Sequence, residues 1–199
     1  MSVRTTVFID EQHCSPEGEF DADDARSWHW VVYDEVDGGK VPVGVTRLVP
    51  PRSHGIHTSE ANGHAEGEEQ FPSAPAREEN KPYVKITRVA VLPAYRNRGL
   101  GKYLVDNALE WASSHPEQVS AQQQQQREEE EEGHEEWSGL VLVHAQVQAE
   151  KAYEKMGFVT DESMGSWWEE GIRHVGMWKT VEVEKHTHKD KDKERENGL

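Results

Sequence analysis

The chain has one cysteine, Cys14, and no apolar run longer than a handful of residues. A lone thiol cannot close an internal disulfide, which excludes a disulfide-stapled fold and suits a reducing compartment. The expected location is the cytoplasm, with the nucleus as an alternative. Without a long apolar run, neither a membrane span nor a signal-peptide core is expected. Basic residues are scarce: Lys and Arg number 22 against 38 Asp and Glu, for a formal net charge of −16. Duplex nucleic-acid binding needs clustered cations on phosphates, so that class is excluded. The acidic balance instead suits a cationic partner drawn in by long-range attraction. Apolar residues make up only 34%, low for a packed chain of this length, and low-complexity segments account for the deficit.

Those segments divide the chain. Residues 50–80 mix Pro, Ser, Gly, His and Glu without periodicity and read as a disordered insertion. Residues 116–137 hold a glutamine run and a glutamate run; such a like-charge block favours a solvated loop over a prolonged helix. The tail 184–199 alternates Lys with Asp and Glu. One domain over 1–183, carrying the two insertions, is the expected organisation.

Between the insertions the patterning is regular. Val3, Val7, Phe8 and Glu11 are spaced for a helix over 3–12, and 15–24 is an acidic, turn-rich loop. Strands are expected at 28–33 and 41–49, joined as a hairpin across Asp37-Gly-Gly-Lys40, and at 83–92. Leu100, Tyr103, Leu104, Ala108 and Trp111 line one face of a helix. Leu140-Val-Leu-Val143 is a buried strand, followed by a helix presenting Ala149, Ala152, Tyr153 and Met156 and ending at Gly157. Closing strands are expected at 158–160 and 172–183.

Val89-Ala-Val-Leu-Pro-Ala-Tyr-Arg-Asn-Arg-Gly-Leu-Gly-Lys102 places a strand, a basic turn and a helix start in succession. A helix N-terminus has unpaired N–H groups and partial positive charge, and glycines let an anion approach them. Neither common nucleotide motif fits. Tyr103 follows Lys102 where G-x-x-x-x-G-K-[ST] needs Ser or Thr, and Leu104 stands where G-x-G-x-x-G needs its last glycine.

Arg96-x-x-Gly99-x-Gly101 resembles the acetyl-CoA signature of the GNAT superfamily of N-acetyltransferases. Ala149-x-x-x-Tyr153-x-x-x-Gly157-Phe158 resembles its second motif. Val7-Phe-Ile-Asp-Glu-Gln12, His144-Ala-Gln146 and Glu170-Gly-Ile-Arg-His-Val-Gly-Met177 are similar to its small ElaA/YjcF-like branch. The likeness covers roughly 4–49, 81–115 and 138–182. It implies an α/β fold with a mixed, mostly antiparallel sheet, splayed between the strands at 83–92 and 140–143, flanking helices, and acetyl-CoA wedged in the split. Family members begin with a strand before the first helix. That strand is apparently absent here, so truncation or a bare sheet edge at 28–33 is expected, the latter inviting self-association as a homodimer.

The resemblance implies site residues as well. Val89, Ala90 and Val91 would meet the pantetheine arm, with a strand bulge around Val91 supplying an N–H for the oxyanion. Arg96, Asn97, Arg98, Gly99, Leu100, Gly101 and Lys102 would hold the diphosphate, largely through backbone N–H groups. Tyr153 would protonate the thiolate. Glu11 and His144 are the candidate bases, His174 is a third and more structural one, and a water relay is the alternative. Thr87 lacks the carboxylate that some branches place nearby. His54, His57 and His64 have no rigid frame or cysteine pair, so no metal is expected. Cys14 beside His13 is not read as a nucleophile pair, since direct transfer needs no thiol. The implied function is acetyl transfer to a primary amine, on a small molecule or a basic peptide. A protein lysine or N-terminal acetyltransferase and a non-catalytic acetyl-CoA-binding module remain open.

Overall fold

The computed structural model describes residues 2–51, 81–124 and 136–184. The expected insertion at 50–80 therefore lies almost wholly outside the described residues, as do His54, His57, His64 and all but the first residue of the tail.

Residue chemistry sets the first hairpin. Strands β1 (Trp28–Val36) and β2 (Gly39–Val49) pair antiparallel from Trp28↔Leu48 to Val36↔Gly39. Asp37 and Gly38 both have positive φ, 51° and 77°, the Asp-Gly turn whose twist matches that of the strands. Strand β3 (Val84–Val91) pairs antiparallel with β2 and parallel with β4 (Leu140–Gln146). Strand β7 (Ile172–Thr180) runs antiparallel along the whole of β4 and also receives β5 (Val159–Thr160) and β6 (Ser166–Glu169). The order is β1-β2-β3-β4-β7-β5, with β1 at one end among the described residues.

The parallel contact is short. Val84, Lys85 and Ile86 pair with Val141, Leu142 and Val143, and there the ladder stops. Beyond it the strands part, leaving residues 87–91 on one side and 144–146 on the other. The splay therefore lies where expected.

One face of the sheet packs on α3 (Leu100–Ser114) and α5 (Glu150–Lys155). Leu48, Ile86, Val105, Ala108, Val141, Tyr153, Phe158 and Met177 share one buried cluster there, each large aliphatic side chain contributing about 1.5–3 kcal/mol. Trp111 of α3 sits 4.7 Å from the ring of Trp28 and 5.7 Å from that of Trp30. The other face carries two smaller clusters. Val3, Val7, Val45 and Ala90 form one; Leu142, Met164 and Trp167 form the second.

Four expectations need correction. The helix over 3–12 is one α-turn, α1 (Ser2–Arg4), continued by a π-helix over Thr5–Glu11; Gln12 N–H reaches back five residues to the Val7 carbonyl at 3.1 Å. The acidic loop is partly helical, with α2 (Pro16–Glu19) and a 3-10 turn (Ala22–Arg26). Strand β6 was not foreseen. Finally, 116–124 is not a loop but helix α4 (Pro116–Gln124), anchored by fully buried Val119 and by Ser120, whose hydroxyl accepts the Trp137 N–H.

The acids at 19–24 are drawn inward by arginines. Buried Arg4 pairs with Glu19 and Asp24, and buried Arg47 with Asp21 and Asp24 at 2.6 and 2.7 Å. Burial by itself would raise the Asp24 carboxyl; hydrogen bonds from Arg4 and Arg47 outweigh it and hold the group at about 2. A depressed carboxyl stabilises the fold above its unfolded value near 3.8 and loses that contribution as pH falls toward 2. The shift corresponds to about 2 kcal/mol. Melting temperature should therefore fall steeply between pH 4 and 2. Asp24→Asn should be less stable at pH 7 and show a flatter acid limb; an acid limb of unchanged slope would contradict the assignment.

Candidate active site

The site forms where β3 gives way to α3. Pro93–Tyr95 make one 3-10 turn, Arg96 is extended, and Asn97 and Gly99 take φ of 60° and 79°. These angles curl the chain tightly from the end of β3 into the first turn of α3. Gly99 caps α3 without a side-chain hydrogen bond. The first intrahelical bond joins Tyr103 N–H to the Gly99 carbonyl at 2.9 Å, so the amides of Leu100, Gly101 and Lys102 precede any helical partner. A Cβ built on Gly101 would meet no atom within 4 Å. Packing within the chain does not require that glycine; it leaves the backbone bare.

The cationic side chains of the turn are already engaged. Arg96 donates to the Val91 carbonyl at 3.0 Å and forks onto the Glu11 carboxylate at 2.7 and 2.5 Å. The Arg98 guanidinium lies 5.2 Å from the Tyr95 ring centroid, and the Tyr95 hydroxyl donates to Asp34 at 2.8 Å. Lys102 pairs with Asp106 one turn along α3. Arg96 and Lys102 are thus ion-paired, whereas Arg98 meets the Tyr95 ring.

Strand β3 supplies one wall of the gap. Leu92 N–H donates to the Val43 carbonyl at 2.9 Å, so alternation along the strand directs the amide and carbonyl of Val91 away from β2, toward the opening. Ala90 is turned the other way: it pairs with Val45 and is buried against Val3 and Val7. The bulge is displaced from its expected position. Val45 and Arg47 on β2 pair with Ala90 and Thr87, so β3 carries one residue too many, at Arg88–Val89 rather than around Val91. Arg88 has φ of 54°, a conformation that costs an L-residue about 1–2 kcal/mol.

The opposite wall is the end of β4. On the helix-covered face, Tyr153 of α5 packs edge-on against Phe158, ring centres 5.5 Å apart. Burial pushes its phenol well above the usual range, so the hydroxyl stays protonated. On the other face, His144 Nδ1 lies 3.0 Å from Lys85 Nζ, and the ring meets Trp167 edge-on at 4.8 Å. Burial first, then Lys85 and His174, push His144 down to about 2. An ammonium only donates, so Nδ1 accepts and Nε2 carries the proton. His174 is held differently: its Nδ1 is 2.9 Å from the Ile172 carbonyl.

Sequence reasoning missed three members of this arrangement. Gln12 and Gln146 exchange amide hydrogen bonds at 3.0 and 3.5 Å across 134 residues. The segment 5–12 thus spans the opening, with Val7 on Ala90, Glu11 on Arg96 and Gln12 on the end of β4. Lys85 was signalled only by alternation, since Val84 and Ile86 point into the core.

The sequence profile described as "Acetyltransferase (GNAT) domain" matches residues 25–160. The chain belongs to this family. Acyl transfer is therefore its class of chemistry. The uncharacterized protein YyaT of Bacillus subtilis (strain 168) is 27% identical over 184 residues, covering 91% of this chain and 86% of YyaT. A putative N-acetyltransferase from Lactobacillus plantarum (22% identity, 90% of this chain and 87% of that one, TM-score 0.54) has the same fold. So do an acyl-CoA N-acyltransferase from Pseudomonas aeruginosa (24%, 90% and 86%, 0.54) and Escherichia coli ElaA (19%, 89% and 85%, 0.51). Among the described residues no helix is long and apolar enough to cross a membrane, and no group of three His, Cys, Asp or Glu could hold a metal ion.

Two outcomes follow for this GNAT site. Gly101→Val should melt within a degree or two of the parent, because the added methyls enter open space, yet bind acetyl-CoA at least about tenfold more weakly by calorimetry. Equal affinity would remove Gly101 from the cradle. His144 should remain a neutral Nε2–H imidazole down to pH 4 in nitrogen-15 spectra; titration near its usual 6.5 would contradict the Lys85 contact.

Proposed function

We propose that this protein is an N-acetyltransferase that moves acetyl from acetyl-CoA directly to a primary amine in a ternary complex. The observation that carries the reading is the open gap between β3 and β4 ending at an uncapped helix start with a bare Gly101. The residues there fit a diphosphate thioester. The amides of Gly99 to Lys102 hold the diphosphate, with Arg96, Asn97 and Arg98 forming the rim. Val89 and Val91 flank the pantetheine arm, and Ala90 supports them from behind.

The amine lone pair attacks the thioester carbonyl, forming the C–N bond, and the oxyanion is taken by the bulge amide at Val89. The C–S bond then breaks and the Tyr153 hydroxyl protonates the departing thiolate. The amine's own proton leaves through water. Arg96 holds the Glu11 carboxylate below its usual range and His144 is depressed to about 2, so both serve to place the relay water rather than as strong direct bases. Positioning both substrates supplies up to roughly 7–11 kcal/mol without a covalent intermediate. The acidic chain, at −16, favours a cationic acceptor, either a small amine or a basic peptide.

The test is free-thiol release from acetyl-CoA with a panel of polyamines, amino sugars, arylamines and basic peptides. Amine-dependent release is expected. Tyr153→Phe should lower kcat on the order of a hundredfold with acetyl-CoA affinity within about twofold. Equal rates would remove Tyr153 from the acid role. Acetyl-CoA binding without release on any acceptor would favour a binding module.

A further inference from the structure

The bulge that the proposed chemistry uses is an expensive piece of backbone, and the structure contains a device that holds it. Arg88, at the bulge, has a left-handed φ of 54°. Its guanidinium donates to the Gly18 carbonyl at 2.8 Å, the Glu19 carbonyl at 3.3 Å and Asp21 Oδ2 at 3.0 Å, and lies 3.2 Å from Glu19 Oε2. Glu19 is itself buried and held by Arg4, and Asp21 is held by Arg47. Arg47 also grips the preceding residue, its Nε donating to Thr87 Oγ1 at 2.8 Å. Two residues on, Ala90 is packed among Val3, Val7 and Val45.

The surplus residue is thus clamped on both sides and through its own side chain. Three arginines and three carboxylates close a cluster of zero formal charge. A buried ionic cluster is seldom the most stable filling for its volume, while its directional hydrogen bonds fix one geometry. Arginine at a left-handed position has no local advantage over glycine, so the side chain is what this position gains.

We infer that Arg88 is a positioning residue. Through the ion cluster under β3 it fixes the bulge so that the Val89 amide is aimed at the thioester carbonyl. This rests on the acyl-CoA reading of the gap. Arg88→Gly separates the two roles, since glycine accepts the backbone angle and removes the anchor.

The readout is isotope-edited infrared spectroscopy of carbonyl-labelled acetyl-CoA bound to the full chain, beside kcat and a calorimetric Kd. In the parent, the bound carbonyl band should shift to lower frequency than in free acetyl-CoA. In Arg88→Gly most of that shift should disappear and kcat should fall about tenfold or more, with Kd within about threefold; Arg88→Lys should lie between. Folded Arg88→Gly with the parent's band and kcat would overturn the inference and leave the acyl-CoA reading intact. Failure of the parent to bind acetyl-CoA would remove that reading and the inference with it. Should Arg88→Gly not fold, Asp21→Asn, which removes one anchor at a half-exposed position, must show a smaller loss of the shift; an unchanged band there would also overturn it.

Discussion

Two parallel strands that pair over three residues and then separate must be held apart by something other than each other. Backbone amides at a parting of this kind need partners, and a strand edge left open in a sheet is a liability. Here β3 stops pairing with β4 after Ile86 and Val143. Each strand is then secured from its outer side: β3 by β2 and the ion cluster, β4 by β7 along its full length. The amides that would have completed the parallel ladder face an opening instead. The start of α3, without a side-chain cap, follows the end of the same strand.

Electrostatics within this frame is largely internal. Of the cations expected at an anionic ligand, Arg96 pairs with Glu11 and Lys102 with Asp106, while Arg47 and Arg88 pair with acids of the 19–24 segment. Strong net acidity is compatible with the proposed anion cradle, because the amides at a helix start carry partial positive charge of their own. On the far face, burial first and then the Lys85 charge keep His144 neutral, and the Lys85 contact orients its ring. The Gln12–Gln146 pair ties the 5–12 segment to the end of β4.

What could be read from sequence was what neighbouring residues decide. The Asp37-Gly38 hairpin and the turn from Pro93 to Gly101 depend on local backbone preferences, and both lie where the residues placed them. The buried face of α3 is rotated from the expected one: Leu104 and Ala108 are joined by Val105, Leu109 and Ala112, while Tyr103 is 57% exposed. The splay was legible only through family resemblance; nothing in Val84-Lys-Ile86 or Leu140-Val-Leu-Val143 says where pairing ends. Helix α4 was hidden because its polar run carries a single buried apolar anchor, Val119, which shares a cluster with Trp137 beyond the glutamate run. The bulge is a mismatch of register between β2 and β3, which neither strand reveals alone. The ion cluster joins residues 15 to 69 positions apart, and an acidic loop looks the same on paper whether it is solvated or clamped. The π-helix differs from the expected α-helix by one residue in hydrogen-bond offset, too little for apolar spacing to register over seven residues.

The central claim is that the gap between β3 and β4, continued by the start of α3, is where acetyl-CoA lies. Residue-resolved amide hydrogen exchange, with and without acetyl-CoA, tests it without reference to any acceptor. Exchange at Val91, Gly101 and Lys102 should slow markedly on binding, while Ala90, already paired with Val45, should change little. Binding that leaves those three amides exchanging as before, with protection elsewhere on the surface, would contradict the account.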